Sequence, residues 1–119
     1  RGMAMKQRDI RDKIPLTETA LLLLLALYKP NHGYNVMKMV KKMTEERIIF
    51  GPGTLYGAIN NLNKKGWIKL VRIDKESKKK EYVITDTSKK IVEMELARMK
   101  QMYDAGKKII KGVNALNGD

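Results

Sequence analysis

Cysteine is absent from the 119-residue chain, and histidine occurs once, as His32. The lack of cysteine excludes disulfide bonds and cysteine-ligated metal sites, and a single histidine argues against a histidine-based metal site. The apolar run at residues 20–27 is shorter than the ~18 residues that a membrane-spanning helix needs. No carboxylate pair stands in a nucleophile-activating or metal-binding motif, so neither an enzyme nor a cofactor is expected. A chain without disulfides fits a reducing cytoplasm.

Positive charge, in contrast, is abundant. The formal net charge is +12, charged residues make up 32% of the chain, and hydrophobic residues make up 43%. This hydrophobic content supports one small domain with its own core. The surplus of lysine and arginine suits a polyanionic partner such as nucleic acid or an anionic membrane, although it could also serve only solubility.

Two helices are predicted in the first half of the chain. Thr17 is a good N-cap for a helix over residues 17–28, which is apolar on every face and is therefore expected at the centre of the fold. A loop at residues 29–33 leads to a second helix over residues 34–46. Its predicted buried stripe, spaced three and four residues apart, comprises Val36, Met39, Val40 and Met43. Residues 47–50 are expected to form a brief strand or an extended link.

The stretch FGPGTLYGAINNLNKKGW, residues 50–67, carries an unusual number of small and amide side chains. Pro52 suits the first position of a helix, and Gly66 suits a left-handed C-terminal cap, which predicts a third helix over residues 52–65. Its expected buried stripe comprises Leu55, Ala58, Ile59 and Leu62. The opposite face is polar and is free to contact a partner.

A β-hairpin is predicted next, because β-forming runs at residues 67–73 and 81–85 flank a charged tip at residues 74–80. Trp67 is expected in the core beneath this hairpin. The tip contains three consecutive lysines, Lys78, Lys79 and Lys80, which could contact a polyanion or could simply be solvated.

From residue 87 the chain is expected to be helical for about 25 to 30 residues. Apolar residues at a 3.5-residue spacing form a row typical of a two-helix contact, namely Val92, Leu96, Met99, Tyr103, Gly106, Ile110 and Val113. A weaker second row comprises Ile91, Met102, Ala105, Ile109 and Leu116. Because the preceding domain is too small to cover this face, dimerisation is predicted.

Helices two and three form a helix-turn-helix, and the hairpin that follows them is a wing. In this arrangement the third helix enters the DNA major groove, and the wing follows the backbone or the minor groove. The residues predicted to contact DNA are Gly53, Thr54, Tyr56, Asn60, Asn61 and Lys64 of helix three, Lys78, Lys79 and Lys80 of the wing, and Tyr34 and Lys38 of helix two. The N-terminal amides from Gly53 to Leu55 are expected to meet a phosphate.

Three stretches resemble the PadR family of transcriptional regulators. They are LLLLALYKPNHGYNVMK at residues 22–38, PGTLYGAINNLNKKGWI at residues 52–68 and KKKEYVITD at residues 78–86. The resemblance covers roughly residues 16–90. It implies a winged helix-turn-helix, a homodimer formed through the C-terminal helix, and repression by binding a palindromic operator. It also places Gly53, Thr54 and Tyr56 near DNA and makes the wing lysines phosphate contacts.

The wing departs from the family pattern, which usually has a Gly-Arg pair before the tyrosine strand. Ser77-Lys78-Lys79-Lys80 takes that place here, so that a lysine replaces the usual arginine. Some smaller members of the family bind flat drugs or phenolic compounds at the dimer interface. The corresponding ligand candidates here are Met94, Met99, Met102 and Tyr103, although methionine rows more often belong to a core or an interface.

The expected fold class is mainly α with a small β-hairpin, a winged helix-turn-helix followed by a long dimerisation helix. Residues 1–14 are predicted to form an arm or short helix, residues 15–86 the DNA-binding domain, and residues 87–117 the dimerisation helix. The expected function is that of a cytoplasmic, sequence-specific regulator of transcription, a repressor that binds double-stranded DNA as a homodimer and is relieved by a small apolar or phenolic effector. The alternative is a winged-helix module that binds protein.

Overall fold

The computed structural model describes residues 13–118. These residues form four helices and three strands, which are α1 (Glu18–Ala26), β1 (Asn31–His32), α2 (Gly33–Met43), α3 (Pro52–Lys64), β2 (Ile68–Ile73), β3 (Lys80–Ile84) and α4 (Asp86–Leu116). The mainly α fold with a small β-hairpin is confirmed. Of the predicted N-terminal arm at residues 1–14, all but the last two residues lie outside the described residues.

Local signals determine where α1 begins and where α3 begins and ends, whereas α1 ends at Ala26, two residues before the predicted residue 28. The Thr17 hydroxyl accepts a hydrogen bond from the Ala20 amide at 3.1 Å, as expected of an N-cap. Pro52 opens α3, and Gly66 follows it with a φ of +79°. Both ends of α3 are therefore confirmed, because proline needs no amide partner in a first turn and glycine tolerates the left-handed conformation.

Helix α2 ends three residues earlier than the predicted residue 46. Glu45 and Glu46 both have positive φ values, of 50° and 67°, which terminate the helix. The Glu46 amide donates to the Lys41 carbonyl at 2.8 Å, and the Thr44 hydroxyl accepts from the Ile48 amide at 3.0 Å. These bonds satisfy polar groups at the end of the helix. Residues 47–50 then form an extended link, in which Phe50 is buried.

The sheet has three strands in the order β1-β3-β2, all antiparallel, so the predicted hairpin gains a third, two-residue strand. Tyr82 of β3 pairs with Asn31 on one side and with Leu70 on the other. The Ile84 amide donates to the Leu27 carbonyl at 2.8 Å, which ties the sheet to the end of α1. A two-residue strand inside a predicted loop has no periodicity that sequence reading could detect.

One core joins α1, α2, α3, the sheet and the start of α4. Its buried apolar residues are Leu21, Leu23, Leu24, Ala26, Leu27, Val36, Val40, Phe50, Leu55, Ile59, Leu62, Ile68, Tyr82, Ile84 and Val92. Ala58 and Trp67 are partly buried against this cluster, so that the stripe of α3 and the position of Trp67 are close to those expected.

The predicted stripe of α2 was wrong in two of its four members. Val36 and Val40 are fully buried, but Met39 and Met43 are 42% and 43% exposed. Gly33 and the half-buried Met37 complete the covered side instead. The physical reason is that α1 and α3 cover a narrow strip of α2, and helical spacing alone does not say how wide that strip is.

The first turns of α4 belong to the core of their own domain, which corrects the predicted dimer row. Val92 and Ile91 are fully buried within the chain. Val92, predicted to face a partner helix, therefore has no surface left to offer one. The exposed apolar row begins at Leu96 and continues to the end of α4.

Glu95 is a fully buried carboxylate that sequence reading missed. One of its oxygens accepts from the Leu16 amide at 2.6 Å, and the Arg98 guanidinium contacts both oxygens, at 2.6 and 3.0 Å. The hydrogen bond from Arg98 lowers the pKa of Glu95 despite the opposing effect of burial. The carboxylate thus fastens α4 to the segment that precedes α1.

We expect Glu95→Gln to lower the free energy of unfolding by about 2 kcal/mol at neutral pH, because a charge-assisted pair is lost. A lowered folded-state pKa stabilises the native state above the ordinary glutamate value, and this stabilisation is lost as the pH falls through the folded pKa. The difference between wild type and variant should therefore shrink below about pH 4. Urea unfolding at several pH values measures it. Glu93→Gln, an exposed carboxylate on the same helix, is the control, and equal losses in the two variants would contradict the assignment.

Candidate nucleic-acid interface

The outer face of α3 is defined here by Gly53, Gly57, Asn60, Asn61 and Lys64. These residues recur three and four positions apart and are all exposed. Leu55, Ile59 and Leu62 are buried on the opposite side of the helix. The outer face is therefore a polar, glycine-containing surface that a large partner can approach closely. Thr54 borders it and is also exposed.

The start of α3 offers fewer free amides than expected. The Leu55 amide donates to the Gly51 carbonyl at 2.9 Å. Contrary to the prediction, this amide is therefore not available to a phosphate. The amides of Gly53 and Thr54 come earlier in the first turn, where helix geometry provides no intrahelical acceptor. Together with the positive end of the helix dipole, these two amides make this terminus suited to an anion.

Tyr56 lies against the first residue of α2. A Cβ built on Gly33 would come within 2.5 Å of Cε1 of the Tyr56 ring, so that only glycine permits this approach. Half of the tyrosine surface is nevertheless exposed. The ring therefore packs between the two helices of the helix-turn-helix, and part of the residue remains open to solvent.

A groove of about 380 Å³ runs between α2, α3 and the β2–β3 hairpin. Its lining residues are His32, Gly33, Tyr34, Tyr56, Asn60, Ser77, Lys78, Lys79, Lys80 and Tyr82. The structure thus brings together six residues that were singled out in the sequence and that come from three separate elements. Gly53, Thr54, Asn61 and Lys64 lie on α3 outside this lining.

Four lining residues were not predicted as site residues, namely His32, Gly33, Ser77 and Tyr82. His32, Gly33 and Tyr82 stood inside the stretches HGY and KKKEYVITD that carried the family resemblance, so a signal for these three was present. Ser77 had no such signal, because a serine in a polar hairpin tip is common.

The tip of the hairpin is an ordered turn. The Asp74 carboxylate accepts hydrogen bonds from the Ser77 hydroxyl at 2.7 Å and from its amide at 2.8 Å, and the hydroxyl bond lowers the pKa of Asp74. Lys78 follows with a φ of +64°. This left-handed conformation favours glycine, and here a lysine adopts it.

Helix α2 contributes a cation and a tyrosine at the rim of the groove. The Lys38 ammonium lies 5.3 Å from the centre of the Tyr34 ring, within the range of a cation–π contact. Tyr34 lines the groove, whereas Lys38 lines a neighbouring cavity together with Lys41, Lys42, Glu45 and Glu46. Lys38 is therefore displaced from the groove by one helical turn.

The residues proposed to hold an effector are not enclosed within a single chain. Met99, Met102 and Tyr103 are exposed on α4, with Tyr103 64% exposed, and Met94 is half-buried. The Arg98 guanidinium approaches the Met102 sulfur at 3.9 Å. An effector site at these residues would need a second protomer to close it.

A family model described as the transcriptional regulator PadR-like family matches residues 21–93, which include most of α1, the helix-turn-helix, the hairpin and the start of α4. The chain belongs to this family. Members of the PadR-like family are DNA-binding transcriptional regulators and not enzymes, so the expectation of a non-enzyme is confirmed. A search of curated proteins found no match at a significant level.

Solved structures of similar fold come from bacteria and from H. salinarum. A PadR-like transcription factor from Bacteroides fragilis is 20% identical, with 76% of this chain and 88% of that chain covered and a TM-score of 0.63. A PadR-family regulator from Eggerthella lenta is 22% identical, with coverages of 85% and 84% and a TM-score of 0.63. RosR of H. salinarum is 20% identical, with coverages of 87% and 98% and a TM-score of 0.65. At such identities the likeness shows the fold alone.

Within residues 13–118, no helix is long and apolar enough to cross a membrane. Within the same range, no group of three or more histidine, cysteine, aspartate or glutamate side chains is arranged to hold a metal ion.

Proposed function

We propose that this PadR-like regulator is a cytoplasmic repressor that binds a palindromic operator as a homodimer. The observation that carries the proposal is the groove, because it joins the outer edge of α3, the start of α2 and three wing lysines into one polar and basic surface. Such a surface suits a duplex whose major groove receives α3 and whose backbone passes the wing. Residues 15–86 would supply this surface, and residues 87–117 the contact between protomers.

Within this surface the contacts divide into two classes. Asn60, Asn61 and the Tyr56 hydroxyl can reach base edges or phosphates by hydrogen bonds, and Thr54 adds a second hydroxyl. Lys64, Lys78, Lys79 and Lys80 are cations that meet phosphates without reading sequence. Tyr34 and Lys38 extend the same surface along α2. Specificity would therefore come mainly from α3, and salt-dependent affinity mainly from the wing.

The proposed dimer contact is the exposed apolar row of α4, now defined as Leu96, Met99, Tyr103, Gly106, Ile110 and Val113. The five large side chains of this row are exposed by 36% to 64% in the single chain. Exposed apolar patches of this extent mark protein-protein contacts. A small apolar or phenolic effector would bind where Met94, Met99, Met102 and Tyr103 of two protomers come together, and would relieve repression by altering that contact.

Selection from a pool of random duplexes with purified protein, repeated at several salt concentrations, tests the proposed function. We expect an enriched palindrome. If each of the three wing lysines in both protomers neutralises one phosphate, the slope of log affinity against log salt should be about −5. An unenriched pool together with salt-independent binding would contradict the proposal and would favour the alternative of a protein-binding winged helix.

Gly33→Ala should weaken operator binding about tenfold while it changes the free energy of unfolding by less than about 1 kcal/mol. The added methyl group occupies the position of the Tyr56 ring, which can swing outward because it is half exposed. Fluorescence anisotropy with the selected operator and thermal unfolding measure the two effects. Gly112→Ala is the matched control, since a Cβ there meets no heavy atom within 4 Å. Equal operator affinities for the two variants would show that the ring position is unimportant.

A further inference from the structure

The exposed row of α4 has an uneven profile of side-chain size along its length. Leucine and methionine stand at its start, isoleucine and valine at its end, and Tyr103 and Gly106 occupy the two central positions. The largest and the smallest residue of the row are therefore direct neighbours. Glu95, Val92 and Ile91 are buried by their own domain, so the row that a partner can cover begins at Leu96.

The row is also free of charge. The ionic residues of this part of α4 lie on other sides of the helix, and Lys100 and Asp104 are paired with each other at 2.7 Å. The Lys107 ammonium lies 5.5 Å from the centre of the Tyr103 ring and borders the row without entering it. A row of uncharged apolar side chains selects an apolar occupant.

The exposed area is large enough for a stable dimer. Eight large apolar side chains of α4 are exposed by 36% to 89%, namely Leu96, Met99, Met102, Tyr103, Ile109, Ile110, Val113 and Leu116. Side chains of this size, about half exposed on average, supply roughly the 800 Å² that a standard interface takes from each partner. A second copy of the same helix offers an equal apolar area and the same spacing, so it is the occupant that fits.

We propose that two α4 helices pack antiparallel, with the two-fold axis midway between Tyr103 and Gly106, so that the Tyr103 ring fills the hollow left by the partner's Gly106. The proposal rests on the homodimer proposed above and specifies its orientation and register. Leu96 then faces the partner's Val113, and Met99 faces the partner's Ile110. On the flank of the row, Met102 lies on the same side as the partner's Ile109, offset from it by two residues along the helix.

The parallel alternative fails on packing. In a parallel pair at equal register, each Tyr103 would meet the partner's Tyr103, and each Gly106 would meet the partner's Gly106. Two tyrosines at one central level overfill the contact, and two glycines at the next level leave a cavity, and both defects are destabilising. In the antiparallel pair, each Tyr103 ring fills the space beside the partner's Gly106, so neither the overfilled level nor the cavity arises. The two-fold axis produces this contact twice.

Gly106 and Gly112 provide a matched pair of test positions. Apart from the helix's own backbone, a Cβ built at either position has no heavy atom of the described chain within 4 Å, so a single protomer tolerates alanine equally at both. Alanine also favours a helix more than glycine does at both positions. The register predicts that only Gly106 is covered by a partner, because Gly112 lies on the opposite side of α4.

We expect Gly106→Ala to raise the dimer dissociation constant by about tenfold or more, since the methyl group occupies the place of the partner's Tyr103 ring. Gly112→Ala should leave the constant unchanged or lower it. Sedimentation equilibrium measures both constants, and circular dichroism measures the helix content of each variant. Equal constants for the two variants would overturn the placement of Tyr103 against Gly106.

Cysteine cross-linking tests the orientation independently, because the natural chain contains no cysteine. Leu96→Cys and Val113→Cys are made as separate variants with different tags and are then mixed and oxidised. The antiparallel register predicts disulfides between the two variants and few within either one. Disulfides within each variant, or no cross-link in a protein that still sediments as a dimer, would overturn the register and leave the homodimer intact. A monomeric wild-type protein would overturn the homodimer and the register together.

Discussion

Replacing Tyr56 and Asn60 together with alanine should lower affinity for the selected operator by about a hundredfold or more, because each base contact contributes about 1–3 kcal/mol. Both residues line the groove, and Tyr56 is held there by its contact with Gly33. The dimer should remain intact, because neither residue lies on α4. Fluorescence anisotropy measures the operator affinity, and sedimentation measures the oligomeric state.

Two controls separate this effect from a general loss of structure. Asn35→Ala removes an exposed amide from α2 that lines a different cavity, together with Asn31, Lys38, Met39 and Lys42. This variant should bind the operator with wild-type affinity. Tyr56→Phe keeps the ring against Gly33 and removes the hydroxyl alone. Unchanged operator affinity in the double variant would show that another surface of the protein contacts DNA.

Replacing Leu96 and Ile110 together with glutamate should convert the dimer to monomers. Each glutamate would place an unpaired carboxylate in the apolar contact, at a cost of about 3–5 kcal/mol. Both native side chains are exposed in the single chain, so the fold of each protomer should be preserved. Sedimentation velocity measures the change in mass, and circular dichroism confirms that the helix content is retained.

Ala97→Glu with Ala115→Glu is the matched control for this variant. Both alanines are exposed on α4 and lie beside the row instead of within it. The control adds the same charge to the same helix and should remain dimeric. A persistent dimer in the Leu96 and Ile110 variant would show that the protomers associate through another surface.

Helix boundaries were the most predictable part of the fold, because their causes are local. Thr17 caps α1 through its own hydroxyl, Pro52 opens α3, and Gly66 closes it with a left-handed backbone. Each of these effects involves only a few neighbouring residues, which the sequence displays directly. The end of α2 was less predictable, since Glu45 and Glu46 adopt positive φ values that their residue type does not favour.

Burial was less predictable, because it depends on what covers a face. Met39 and Met43 share a helical spacing with Val36 and Val40, but the neighbouring helices cover only the valines. Glu95 had the appearance of a surface charge, although it stands four residues after Ile91 and three after Val92, both of which are buried. That spacing was the available signal for its burial.

The candidate site was partly predictable. Outer-face residues such as Asn60 and Lys64 follow from the period of α3, because the buried stripe of a helix determines its opposite side. The sequence did not reveal that Tyr34, Tyr56 and the three wing lysines line one groove. These residues lie on three elements, and the packing of α2 against α3 through Gly33 and Tyr56 brings them together.

The sequence by itself determined the family, the order of the four helices and the hairpin, the start of α1, both ends of α3 and the polar character of the outer face. These properties depend on composition, on short motifs and on interactions between residues close in the chain. Only the tertiary structure decided that Val92 belongs to the core and that the free row of α4 starts at Leu96. Periodicity defines which residues share a face, but the cover that neighbouring elements provide decides which part of that face remains for a partner.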